Sequence, residues 1–289
     1  MTPDSDSRLN LLELKCRRPV ENLLAGEYRS VFKGRGIEFE DVRAYEPGDD
    51  VRSMDWKVTA RTGVPHIKRY VEEREQYFFL LVDLSASTLS DLDGGKRRTL
   101  AEICSLLALA ALKNNDRVGL ILFTDRVEHV VPPGKGRMHG IRIMDAVDSF
   151  QPEGSGTNLN VALNTLGHMA QKRSVAFLLS DFLSEGFEDE LRSAAYQHDL
   201  IAVSLLEEHE IDVPASGLTR VEDAETGESR VIDFAGAKQG SSPRMADLRK
   251  LLMDCSVDLV EVLSGEDCVS ALSHFFKSRQ RLVADETGG

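Results

Sequence analysis

The sequence predicts an α/β protein, a doubly wound and mostly parallel sheet with a small N-terminal appendage of helix and β structure. Three observations carry this. Short apolar runs, too short for helices and rich in aliphatic and aromatic residues, recur at residues 78–82, 116–123, 175–179, 200–206 and 257–262. Longer segments with apolar residues at helical spacing lie between them. Two of the runs stop at an aspartate, as central strands do beside a ligand crevice. Alternation of this kind implies a sheet covered by helices on both faces. The organisation expected is an appendage over 1–74, the main domain over 75–281 and a tail over 282–289, where D-E-T-G-G reads as frayed.

Residues 8–25 place Leu9, Leu12, Cys16, Val20 and Leu24 near helical spacing, with Pro19 interrupting and Gly26 ending a kinked helix. Extended pieces follow, with Ile37 and Phe39 alternating against charges, then a turn at E-P-G-D-D, residues 46–50. Arg-Ser-Met-Asp-Trp-Lys carries the only tryptophan, Trp56, and a turn at A-R-T-G-V-P leads into a period-two stretch from His66. This region is dense in both signs of charge. It reads either as a solvated appendage with weak surface ion pairs or as a docking surface.

Past the strand at 78–82, a helix at 98–114 carries Leu100, Ile103, Leu107 and Ala110 on one face, and the strand at 116–123 follows it. The piece at 126–131 is an edge or antiparallel strand closed by Pro132, Pro133 and Gly134. Helices are expected at 137–149, 158–172, 187–197, 245–255 and 266–278, with Ser264 and Asp267 as a capping box for the last. A hairpin is expected at 218–222 and 230–234, around E-T-G-E.

The chain of 289 residues has a net charge of −13, unevenly spread: residues 1–80 hold 14 Lys and Arg against 15 Asp and Glu, the remainder 21 against 33. An acidic main domain argues against general nucleic-acid binding and against docking on an anionic membrane. A protein or small cationic partner fits better. The cysteines at 16, 104, 255 and 268 form no C-x-x-C pair and read as plain packing residues. The N-terminus has no secretory pattern, and the longest apolar stretch, 103–112, is well short of the roughly 18 residues of a membrane span. The expected setting is cytoplasmic.

The candidate site gathers at the strand ends. Asp83, Ser85 and Ser87 follow the first run as D-x-S-x-S, and alternate positions on an extended backbone face the same side. Asp181 ends the run F-L-L-S-D, and Thr157 opens a helix from the glycine-flanked loop G-S-G-T-N. Were the two aspartate-terminated strands neighbours where the strand order reverses, both carboxylates would line one crevice. Two carboxylates alone would repel each other there, and a divalent cation resolves that. Mg²⁺ suits hard oxygens in octahedral array, with Mn²⁺ or Ca²⁺ as alternatives. Five short side chains would leave one position open. Taken singly, each residue has a plainer role: either aspartate or Thr157 as a helix cap, the serines as loop residues.

Together, Asp83, Ser85, Ser87, Thr157 and Asp181 resemble the metal-ion-dependent adhesion site of von Willebrand factor type A domains, over about residues 75–280. The resemblance implies a Rossmann-like domain in which the serines and threonine hold the ion directly or through water, and the first aspartate largely through water. A partner's acidic residue completes the shell. A second resemblance covers the whole chain: G-R-G-I-E-F-E-D-V-R-A-Y-E-P-G-D-D-V-R-S-M-D-W-K-V-T-A-R-T-G at 34–63 and D-A-E-T-G-E at 223–228 are similar to segments of the bacterial family called domain of unknown function 58. Leu205-Leu206-Glu207 departs from the aspartate-proline pair expected there. Members of that family join this N-terminal portion to a von Willebrand A type domain and are commonly encoded beside MoxR-type AAA+ ATPases.

The function expected is therefore a metal-dependent protein-binding adaptor, not an enzyme, working with such an ATPase. The alternative is a metal-dependent phosphohydrolase using Asp83. Against it, the position two residues on, where haloacid-dehalogenase chemistry places a second aspartate, is Ser85. No nucleophile elbow, phosphate loop or H-E-x-x-H pair occurs, and His129 and His139 read as surface residues.

Overall fold

A computed structural model describes residues 37–72, 75–89, 95–206, 218–222, 229–233, 243–265 and 267–287. The kinked helix expected at 8–25 and the E-T-G-E turn lie outside the described residues. The chain divides into two compact units, one spanning Phe32–Gln76 and the other holding everything from Tyr77 onward.

In the smaller unit, β1 (Ile37–Ala44) pairs antiparallel with β2 (His66–Glu72), in a register running from Ile37 opposite Glu72 to Ala44 opposite His66, with an irregularity between Phe39 and Asp41. Between them lies α1 (Trp56–Thr62), where the sequence reading places only the turn A-R-T-G-V-P. Seven residues are too few to show an apolar stripe, but both ends carry signals. Asp55 accepts from the amides of Lys57 and Val58 at 2.9 and 3.0 Å. Gly63 adopts the left-handed conformation, φ 73°, that ends helices at little cost to glycine. The connection before α1 is held by Arg43, whose guanidinium donates to both oxygens of Asp49 at 3.0 and 2.7 Å. That fork also lowers the Asp49 carboxyl pKa. Trp56 is 69% exposed.

The larger unit is built on a six-stranded sheet. In chain order its first part comprises β3 (Tyr77–Asp83), the short α2 (Ala86–Leu89), α3 (Gly95–Lys113), β4 (Arg117–Phe123), β5 (Val127–Gly134), α4 (Arg137–Ser149) and α5 (Leu159–Met169). Then come β6 (Val175–Ser180), α6 (Glu188–Gln197), β7 (Asp199–Leu206), the hairpin β8 (Leu218–Glu222) and β9 (Ser229–Asp233), α7 (Pro243–Asp254), β10 (Asp258–Leu263) and α8 (Cys268–Thr287). The strand order is β10-β7-β6-β3-β4-β5, parallel except for β5, which runs antiparallel to β4 at one edge. This is the doubly wound, mostly parallel architecture the sequence predicts.

Period-two alternation sends the two side-chain sets to opposite faces. One face carries Phe79, Leu81, Ile121, Phe123, Ala176, Leu178 and Ala202, packed with Leu159, Leu163 and Leu166 of α5, Leu191 of α6, and Leu248 and Leu252 of α7. Phe78, Leu80, Leu120, Leu122, Phe177 and Ile201 supply the other set, all fully or almost fully buried. Helix α3 packs against α4 and α8. Each such Phe or Leu removed from water contributes about 1.5–3 kcal/mol, which is why the runs between 77 and 206 read so clearly as strands.

Four details differ from the sequence reading. Helix α2 is too short to leave a periodic signal. Helix α5 ends at Met169, three residues early, and its N-cap is Asn158, whose side chain accepts from the Asn160 amide at 3.1 Å. Strand β5 runs on through both prolines, as an edge strand can. The last helix continues to Thr287, and the cap at its start is Asp267, accepting from the Val269 amide and the Ser270 hydroxyl at 3.1 and 2.9 Å. The Ser264 amide instead donates to the Leu206 carbonyl at 2.8 Å, so the capping-box reading reduces to Asp267 alone. Among the described residues no helix is long and apolar enough to cross a membrane. Cys104, Cys255 and Cys268 are free and buried.

Candidate functional site

The chain leaves β3 to the β4 side of the sheet and returns through β6 on the opposite side, so the strand order reverses between β3 and β6. These two strands are neighbours, paired from Phe78 opposite Val175 to Val82 opposite Leu179. One step further along each lie Asp83 and Ser180, and then Asp181. The two aspartates thus flank one crevice at the carboxyl ends of adjacent strands, where open α/β sheets place ligands.

Asp83 is fully buried. Its Oδ1 accepts from the Ser85 amide at 2.8 Å, and its Oδ2 from the Ser180 hydroxyl at 2.6 Å. Burial, reinforced by the charge of Asp181, raises the Asp83 pKa well above the ordinary carboxylate range, and these hydrogen bonds only partly offset the rise. Asp181 is 4% exposed. Its Oδ1 accepts from the Leu183 amide at 2.9 Å, while Oδ2 is buried with no hydrogen-bond partner. Among the described residues no lysine or arginine pairs with either carboxylate; Arg244 of α7 donates instead to the Asp181 carbonyl at 2.8 Å.

The hydroxyls stand together. Ser85 Oγ and Ser87 Oγ are 3.1 Å apart, and Ser87 Oγ and Thr157 Oγ1 are 3.4 Å apart. Because Asn158 takes the capping role, the Thr157 hydroxyl turns to Ser87 instead of to the helix. The loop carrying Thr157 is tied to its neighbours at several points. The Ala86 amide donates to the Ser155 carbonyl at 2.9 Å, the Asn158 amide to the Thr124 carbonyl at 3.0 Å, and the Ser184 hydroxyl to the Thr157 carbonyl at 3.3 Å. Beyond Asp181, Phe182 has φ 56°, a left-handed conformation rare for a residue with a side chain. Its amide donates to Ser180 Oγ at 3.0 Å, and its ring is buried 6.3 Å from that of Phe187.

All five residues singled out in the sequence therefore lie around one crevice. Sequence reading assigned no role to Ser180, Thr88, Glu128 or Arg244. Thr88 accepts from Ser85 Oγ at 3.4 Å, and Ser180 orients Asp83. Only Ser180 had a usable signal, standing next to Asp181 at the end of a strand that pairs with β3.

The donor set suits a hard cation. Adjacent oxygens about 2.1 Å from an octahedral Mg²⁺ are about 3.0 Å apart, close to the hydroxyl spacings here. The unpartnered Asp181 oxygen and the burial-driven pKa rise at Asp83 both mark carboxylates that no basic side chain offsets among the described residues. Among the described residues no three His, Cys, Asp or Glu side chains cluster as a metal site.

Fold and crevice together define the class: a doubly wound, mostly parallel α/β domain with its polar site at the reversal of strand order. The chain belongs to the family described as "Protein of unknown function DUF58", which it matches over residues 41–241. It is 30% identical to an uncharacterized protein of Mycobacterium tuberculosis, with 96% of this chain and 91% of the relative aligned. Among solved structures it is similar to the conserved hypothetical protein BatB from Bacteroides thetaiotaomicron, at 16% identity and TM-score 0.49 over 71% of this chain and 99% of that one. An aerotolerance-related membrane protein from Bacteroides fragilis matches at 14% identity and TM-score 0.49, covering 71% and 98%. Proximal thread matrix protein 1 from mussel byssus, solved with a zinc-occupied MIDAS motif, matches at 16% identity and TM-score 0.38, covering 45% and 38%.

Proposed function

We propose that the crevice binds a divalent cation, Mg²⁺ before Mn²⁺ or Ca²⁺, and that the protein is a metal-dependent adaptor whose ion engages a carboxylate of a partner protein. Asp83, Ser85, Ser87, Thr157 and Asp181 would hold the ion. The observation that carries this reading is a buried pair of carboxylates on neighbouring strands, with no basic side chain paired to them among the described residues, beside three hydroxyls within 3.4 Å of their neighbours. When bound, the ion supplies an open coordination position that selects one acidic group, while the surrounding loops supply contact area. The family resemblance points to a MoxR-type AAA+ ATPase as the partner.

The test is capture of a MoxR-type ATPase from the same genome by the wild-type chain and by Asp83→Ala, each with Mg²⁺ and with EDTA. Capture by wild type in Mg²⁺, lost in EDTA and lost in the variant, is the expected result. Equal capture in all four conditions would put the interface elsewhere. Phosphatase turnover that disappears with Asp83→Ala would replace the adaptor by an enzyme.

A further inference from the structure

Thr157 is the one member of the site delivered by a loop that neither begins nor ends in the sheet. Residues 150–158 join α4 to α5 and contain two glycines, Gly154 and Gly156, so the loop needs external ties to keep a single conformation. One side chain provides an unusual share of them. Glu128, half-buried on edge strand β5, accepts from the Gly154 amide at 2.7 Å and the Thr124 hydroxyl at 2.8 Å through Oε1, and from the Glu153 amide at 3.2 Å through Oε2. Both carboxylate oxygens are spent on the loop and its neighbour. Thr124 closes the circuit, because its carbonyl accepts from the Asn158 amide at the start of α5. The loop passes so close that a Cβ at Gly154 would lie 2.1 Å from Asp125 Oδ1 and 2.2 Å from Thr124 Oγ1. Only glycine fits without displacing that network.

We propose that Glu128 is a positioning residue for the cation site: its carboxylate clasps the backbone at 153–154 and so holds the Thr157 hydroxyl against Ser87. The proposal rests on the metal-binding reading above, since its consequence is that the affinity Thr157 contributes depends on Glu128. Glu128 itself touches no member of the site. Its effect passes through three residues of loop and through Thr124.

The experiment is a double-mutant cycle read by calorimetric titration with Mn²⁺ alone, combined with amide hydrogen exchange. Glu128→Ala is expected to weaken Mn²⁺ binding about 10-fold, as loss of an outer support does. Thr157→Ala should weaken it by at least as much, and the double variant should be no weaker than Thr157→Ala. Exchange should quicken at residues 153, 154 and 158, while the amides of β3 and β6 stay protected. Glu128→Gln keeps one acceptor oxygen and should recover part of the affinity, a rescue that a general loss of stability would not produce. Additive losses in the double variant, or wild-type affinity in Glu128→Ala, would overturn the proposal. If the wild-type chain takes up no Mn²⁺, the metal reading and the affinity consequence fail together. Exchange then decides the clasp by itself: faster exchange at 153–154 in Glu128→Ala upholds it, and unchanged exchange overturns it.

Discussion

The two ends of the same sheet treat paired carboxylates in opposite ways. At the amino ends, Asp199 opens β7 and Asp258 opens β10, and both reach Arg279 of α8; the contact to Asp258 is 3.3 Å, and the contact to Asp199 is closer still. Nearby strand starts are similarly supplied with cations, Tyr77 lying beneath the charges of Lys172 at 4.9 Å and Arg117 at 5.8 Å. At the carboxyl ends, Asp83 and Asp181 are more deeply buried, yet among the described residues no basic side chain pairs with either. One pair shares a guanidinium from within the chain. The other has no basic side chain paired with it among the described residues, and burial raises the cost of leaving it charged.

This contrast can be broken by experiment, and the largest effect belongs to the carboxyl end. Mg²⁺ at about 100 times its dissociation constant should stabilise the wild-type chain by about 2.7 kcal/mol, read as a rise in thermal midpoint that EDTA reverses. Asp83→Ala and Asp181→Ala should abolish that rise. A midpoint indifferent to Mg²⁺ in the wild type would mean that the two ends differ in burial but not in purpose. At the amino end, Arg279→Ala should cost about 2 kcal/mol in denaturant unfolding, moderated by the partial exposure of Asp199 and Asp258. That loss should be equal with and without Mg²⁺, since Arg279 lies at the far end of the strands.

A smaller effect of opposite sign is expected from Asp83→Asn. In EDTA this variant removes charge repulsion from a buried site and should gain about 1 kcal/mol in the same unfolding measurement, while losing all response to Mg²⁺. A destabilised variant would show that the Asp83 carboxylate is satisfied without a cation. The smallest effect concerns pH at the amino end. Burial, helped by the charge of Arg173, lowers the pKa of His198, whose ring nitrogens are both buried without a partner. The native state therefore favours the neutral ring. The stability this confers is complete above the unfolded pKa of about 6.5 and is lost as pH falls below it. His198→Gln should flatten that acid limb of the stability profile, and an unchanged slope would assign it to other groups.

The sheet was legible because buried parallel strands leave uninterrupted apolar runs. Asp83 and Asp181 stood out in combination, because two such runs end at a carboxylate and a threonine loop lies between them in the chain. Short elements were not legible: α1 and α2 span seven and four residues, less than the length over which helical periodicity can be counted. The far end of α8 was missed because D-E-T-G-G looks like an unstructured terminus, yet the helix runs on to Thr287. In the site, Asn158 displaced Thr157 as cap because two adjacent residues were both competent and only the backbone path chooses between them. Glu128 left no trace at all. Its role depends on β5 folding back beside the 150–158 loop, a contact across 25 residues of sequence that no local pattern encodes.

The left-handed turn at Phe182 has a bearing on how Asp181 is held. A residue with a side chain ordinarily avoids that conformation by about 1–2 kcal/mol, and here the sealed ring beside Phe187 offsets the penalty. The chain's exit from β6 is thereby fixed from below, by the hydrophobic interior. The Leu183 amide just beyond it is thereby held where it donates to Asp181, so the anchored ring also keeps that carboxylate's aim.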